Sequence, residues 1–135
     1  MMKDLGANTI RVYHVDASGD HDACMSAFSD AGIYLFVDLD TFDTQITQDV
    51  PMWNRTQLTA FEKVMDTFQK YDNTAGFFVG NEILTFANGS DASPYIKAAA
   101  RDAKAYRDSK KYRSIPIGYS AGTCVLRVYH LHLLT

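Results

Sequence analysis

A carboxyl group set directly after an apolar run, with an amide beside it, is the sharpest chemical signal in this chain. The pair is Glu82 and Asn81, which follow residues 76–80 (GFFVG). Desolvation at such a position raises a carboxyl pKa. The expectation is that Glu82 holds a proton near neutrality and can give it to a leaving oxygen. Asn81 can hydrogen-bond a sugar hydroxyl beside the reacting carbon, a contact that strengthens in the transition state of glycoside chemistry. From position alone, a carboxylate that only caps the next loop fits equally well.

Glycoside chemistry needs a second carboxylate, which in a retaining enzyme lies about 5–5.5 Å from the first. Asp38 and Asp40 are the visible candidates. Asp38 sits one strand away and reads better as a group that binds hydroxyls, and no later strand brings a glutamate across. Tyr13, Asp16, Tyr119 and Ser120 are further polar residues at predicted strand ends. No GxGxxG or GxxxxGK[ST] run is present, so a phosphate cradle has no support. Cys24 and Cys124 form no CxxC, and His130 and His132 have no metal-site spacing, so neither a cofactor nor a metal is expected.

These residues need elements to hold them. Thr9 to Val15 is β-branched and aromatic, which predicts a strand. Ser18 and Asp20 can cap a helix whose face is Cys24, Ala27, Phe28 and Ala31, with Gly32 as its stop. Ile33 to Leu39 is a near-continuous apolar run, expected to be a strand covered on both sides. A long polar loop with Pro51 and Trp53 follows, running to about Arg55. The next helix opens at Thr56, with Leu58, Phe61, Val64, Met65, Phe68 and Tyr71 as its stripe. Ala75 to Val79 is the third strand. Ser93 and Pro94 start a helix with Tyr95, Ala99, Ala103 and Tyr106 inward, and Ile115 to Tyr119 is the fourth strand. The alternation predicts parallel strands joined by right-handed crossovers. An open doubly wound sheet and part of a (β/α)8 barrel both fit, and in either the strand C-termini share one mouth.

Composition narrows the classes. The chain has 135 residues, 47% hydrophobic and 21% charged, with a net charge of -3. That excludes a disordered or fibrous chain. No apolar run approaches the roughly 20 residues of a membrane helix. No basic stripe exists to hold nucleic acid. Eight Tyr, eight Phe and one Trp suit a ring-binding surface as well as a core.

LGANTIRVYHVD, HDACM, DAGIYLFVDLD, KYDNTAGFFVGNE and IPIGYSA occur in order over about residues 3 to 121. Together they resemble the family 72 glycoside hydrolases, the 1,3-β-glucanosyltransferases of fungal cell walls. The resemblance implies a partial (β/α)8 TIM barrel with four parallel strands, the family's strands two to five, and their crossover helices. It implies Glu82 as general acid/base. It places Tyr13, Asp38, Asp40, Asn81 and Tyr119 around β-1,3-glucan donor and acceptor chains. The implied reaction cleaves an internal β-1,3 bond, forms a glucosyl-enzyme, and passes the chain to another glucan end. The family's nucleophile follows strand seven, outside this stretch, so the chain is expected to be inactive alone. The family is attached to the plasma membrane by a lipid anchor or lodged in the cell wall.

Residues 1–121 are assigned to the barrel and 122–135 to a divergent tail. There Thr123 stands where the family has Asp, and Arg127 is out of register. No leader is read in MMKDLGANTI and no anchor signal in VLRVYHLHLLT. The resemblance makes Cys24 a half-cystine without its partner. Asn54-Arg55-Thr56 and Asn88-Gly89-Ser90 are glycosylation sequons. Trp53 could stack on sugar or anchor its loop, His14 is expected to be packed, and residues 107–113 are expected to be a solvated helix end. Two other functions stay open: a non-catalytic glucan-binding remnant, and an unrelated small-ligand α/β domain.

Overall fold

The computed structural model describes residues 2–122. Expectations for Thr123, Cys124, Arg127, His130 and His132, and with them the tail, lie outside the described residues. The order is β1 (Thr9–Val12), α1 (Asp22–Asp30), β2 (Tyr34–Asp38), α2 (Arg55–Phe68), β3 (Thr74–Asn81), a 3₁₀ turn (Ala87–Ala92), α3 (Ser93–Ser109) and β4 (Ile117–Ser120). All pairings are parallel and the sheet order is β1-β2-β3-β4. A doubly wound sheet reverses its strand order, and this one does not. Right-handed crossovers that always step the same way put every helix on one face.

That choice explains the burial. Leu35, Val37, Phe77, Val79 and Ile117 point to the helices and are buried with Phe61, Val64, Met65, Phe68, Ile96, Ala99 and Ala103. The opposite face carries Arg11, Tyr34, Phe36, Asp38, Gly76 and Phe78. Here Tyr34 is 52% exposed, and Phe36 and Phe78 are half-buried with ring centroids 5.4 Å apart. The second strand is therefore covered on one side only, because its other side lines the concave face of a barrel segment. Gly76 lets that face close up: a Cβ there would stand 2.7 Å from the Phe36 ring.

Local signals set the helix ends. Asn54 accepts the Thr56 and Gln57 N–H groups while the Gln57 side chain bonds back to Asn54 N, a complete capping box. Gly32, at φ +70, closes α1 with Ile33 N–H donating to Phe28 O. Asp20 accepts the Asp22 N–H, whereas Ser18 is held by Asp16 instead of capping α1. Ser93 lies inside α3, since the 3₁₀ turn runs directly into that helix.

Two helix faces differ from expectation. In α1 only Met25 is buried, while Cys24 and Ala27 are exposed. In α3 the inner face is Ile96, Ala99 and Ala103, with Tyr95 exposed. The rest of each expected stripe holds: Phe28 and Ala31 of α1 and Tyr106 of α3 are partly buried against the core, and Met25 and Ile96, each one residue on from Cys24 and Tyr95, complete the inner faces. The expected solvated end of α3 is also partly employed. Arg107 donates to Ile115 O, and Arg113 donates to Tyr71 O and Thr74 O. Among the described residues, no helix is long and apolar enough to cross a membrane.

Candidate functional site

The strand C-termini meet at one mouth, and Arg11 of β1 organises it. Its Nε and Nη2 donate to the two Asp38 carboxylate oxygens, each at 2.7 Å. Its Nη1 donates to Asn81 Oδ1 at 3.0 Å and to Ser120 Oγ at 2.6 Å. The guanidinium lies over the Tyr13 ring at 4.5 Å and the Phe78 ring at 4.6 Å. Neighbouring strands are about 4.8 Å apart, so β1 and β4 would be about 14 Å apart in a flat sheet. One side chain bridges them here because the sheet curls toward its concave face. The same curl brings Tyr13, Asp38 and Asn81 together around a common cation.

Glu82 follows Asn81 at once. Its N–H donates to Ser120 O at 2.8 Å, and its φ of +47° is left-handed. A non-glycine residue in that region carries a cost that persists only where the surroundings hold it, commonly at functional sites. The β4 pairing supplies the hold. Gly122 passes beside the carboxyl: a Cβ there would lie 3.6 Å from Glu82 Cδ. The expected desolvation of Glu82 is not found, because its side chain is exposed at the mouth. Glu82 lies one residue past the end of β3, where the backbone turns out of the sheet and Gly122 runs alongside its carboxyl.

Desolvation falls on Asp40 instead. Asp40 is 5% exposed, and its Oδ1 has no hydrogen-bond partner among the described residues. Burial, reinforced by the charge of Asp38, pushes its carboxyl up to about 6. Asp38 is also buried, but Arg11 meets both its oxygens.

Tyr119 sits beside the mouth in a different way. Its ring packs on the core face, and its hydroxyl accepts the Leu84 N–H at 3.0 Å. It thereby holds the backbone two residues past Glu82. Burial pushes its phenol up. Gln48, from the long loop between β2 and α2, grips the same segment. Its Oε1 accepts from Thr85 N, Thr85 Oγ1 and Phe86 N at 2.6, 3.2 and 3.2 Å.

Trp53 anchors its loop, donating to Asp102 Oδ2 at 2.9 Å and packing 5.0 Å from Phe61. His14 is exposed, not packed in the core. Its ring stacks on Phe42 at 3.9 Å and its φ is +48°. Among the described residues no group of three His, Cys, Asp or Glu could hold a metal ion. Arg11 was not singled out from the sequence. Its signal was a lone cation between Ile10 and Val12, at an inward position of a strand, where a charge must find a partner.

Comparisons with known proteins converge on one family. The glucanosyltransferase family model matches residues 1–132. The 1,3-beta-glucanosyltransferase gas2 of Schizosaccharomyces pombe is 51% identical over 120 residues, covering 89% of this chain and 26% of that protein. The 1,3-beta-glucanosyltransferase gel1 of Aspergillus fumigatus is 48% identical over 121 residues, covering 88% and 27%. Among solved structures, Saccharomyces cerevisiae Gas2p in complex with laminaritriose and laminaritetraose superposes with a TM-score of 0.89 at 38% identity, covering 93% of this chain and 29% of that one. The chain thus spans about a quarter of the length of the curated relatives it matches.

Proposed function

The chain belongs to the glucanosyltransferase family, and from that premise we propose that it supplies the acid/base half of a retaining β-1,3-glucan transfer site. The observation that carries this reading is the Arg11–Asp38–Asn81 cluster at the strand ends, with Glu82 next to it on a left-handed backbone at the open mouth. Relatives named 1,3-beta-glucanosyltransferases support it, as does the yeast Gas2p structure holding laminari-oligosaccharides.

In this reading Glu82 gives its proton to the glycosidic oxygen as the β-1,3 bond breaks. It later takes one from the incoming sugar hydroxyl as the new bond forms. Its exposure leaves room for the glucan to lie against it. Asn81 binds a hydroxyl of the donor sugar, Asp38 fixes Arg11, Tyr13 offers ring and hydroxyl beside them, and Asp40 lies behind. Tyr119 keeps the segment after Glu82 in place. The nucleophile comes from a later strand outside this stretch. An acceptor chain bound at the mouth would compete with water for the glucosyl-enzyme, so the polymer is rearranged and lengthened without net hydrolysis. The site of action is the outer cell surface or the wall, with the whole protein held by a lipid anchor.

Incubation with laminaripentaose, with products followed by chromatography and binding by calorimetry, tests this. Products longer than the substrate, lost in Glu82→Gln while binding persists, support transfer by the chain itself. Binding without products supports a glucan-binding half-site that needs the later strands. Neither binding nor products overturns the glucan reading.

A further inference from the structure

We propose that Arg11 is a positioning residue that sets the Asn81 amide with its NH₂ toward the ligand, making Asn81 a hydrogen-bond donor at the mouth. The inference rests on the glucan reading for the identity of the ligand, and on the geometry of the cluster for everything else.

A guanidinium has donors only. Whatever faces it must accept, so the Asn81 atom 3.0 Å from Nη1 is the carbonyl oxygen and Nδ2 is turned away. Asn81 is exposed, and its Nδ2 has no partner among the described residues. The two N–H bonds are therefore free at the open end of β3. The same logic applies to Ser120, whose Oγ accepts from Arg11 and keeps its own hydrogen to donate. Asp38 is buried, and both of its oxygens accept from Arg11, so its part is to fix the guanidinium plane. The mouth thus offers the Asn81 amide as a donor, with the Ser120 hydroxyl beside it. A sugar hydroxyl oxygen, which accepts, fits the exposed donor.

Arginine is specific to the task. Four of its five N–H groups are used, in two directions from one rigid plane, and the guanidinium carbon lies 4.5 Å and 4.6 Å from the Tyr13 and Phe78 ring centres. Lysine would keep the charge near Asp38. Its single nitrogen cannot meet both Asp38 oxygens, Asn81 and Ser120 together.

The test uses the full chain labelled with ¹⁵N, in wild-type form and as Arg11→Lys and Asn81→Asp. In the wild type, the Asn81 side-chain amide should be as ordered as rigid backbone and should shift on addition of laminaritriose. In Arg11→Lys its order parameter should fall below about 0.6, and laminaritriose affinity should drop by about tenfold or more. Asn81→Asp keeps an acceptor for Arg11 but loses the donor. It should fold as the wild type does and lose affinity similarly. If Arg11→Lys does not fold, Asn81→Asp decides. Unchanged amide order and affinity in Arg11→Lys, or wild-type affinity in Asn81→Asp, would overturn the proposal. A wild type that binds no laminaritriose, yet whose Asn81 order depends on Arg11, sinks the glucan reading and leaves the positioning role standing.

Discussion

Replacing Asp40 with Asn should change how stability depends on pH. Asp40 is almost wholly buried, one of its oxygens has no partner among the described residues, and its carboxyl is raised from 3.8 to about 6 by burial and then by Asp38. Because the folded state holds this proton more tightly than the unfolded chain, the sign is fixed. The stabilisation is complete below about pH 4 and is lost as pH rises through about 6. A rise of about two pH units at about 1.4 kcal/mol each gives a loss of about 3 kcal/mol across that window. Asn is neutral at every pH, so Asp40→Asn should escape it. Urea unfolding of both proteins from pH 3.5 to 7 gives the difference in stability, and any constant packing cost of Asn cancels from its slope. The difference should swing in favour of the variant by about 2–3 kcal/mol. Parallel pH profiles would show that Asp40 is ionised in the fold at low cost, and would refute the account of its burial.

Other substitutions test the scaffold. Lys111, at φ +57°, follows α3 in a left-handed closing turn, with Tyr112 N–H donating to Arg107 O. Lys111→Gly should raise stability by about 0.5–1 kcal/mol in urea titration. Gly76→Ala sets a methyl 2.7 Å from the Phe36 ring, which must move from its place beside Phe78. It should cost about 1–3 kcal/mol, and a neutral result would mean that the concave face is loosely packed.

The sequence carried the parts of this site that depend on order along the chain. Strand ends are visible as the close of apolar runs, so Tyr13, Asp38, Asn81 and Glu82 could be named and assigned to one mouth. What joins them was not visible, because Arg11 acts through a curvature that brings β1 to β4. No local pattern announces that curvature. The burial of Asp40 and the exposure of Glu82 were hidden for a related reason. They depend on how the loops after β2 and β3 lie over the strand ends, and that is settled by distant contacts such as Gln48 with Thr85 and Tyr119 with Leu84. In α1 and α3 the inner face begins one residue on from the spacing, at Met25 and Ile96 instead of Cys24 and Tyr95, an offset that apolar spacing alone does not resolve.

The concave face that builds the site should also govern how this polypeptide behaves when expressed as given. Tyr13 and Tyr34 are each about half exposed there, and among the described residues neither β1 nor β4 has a second strand beside it. Open parallel edges and uncovered aromatic surface both favour association. A half-exposed tyrosine that becomes covered contributes on the order of 1 kcal/mol, and the edge hydrogen bonds add direction. Sedimentation velocity over a concentration series should therefore show self-association. Tyr34→Lys places a charge on that face, away from Arg11 and Glu82, and should weaken association while leaving the melting transition of the monomer intact. A wild type that sediments as a monomer throughout, with a sharp thermal transition, would refute the claim that these open edges and half-exposed aromatic rings drive association.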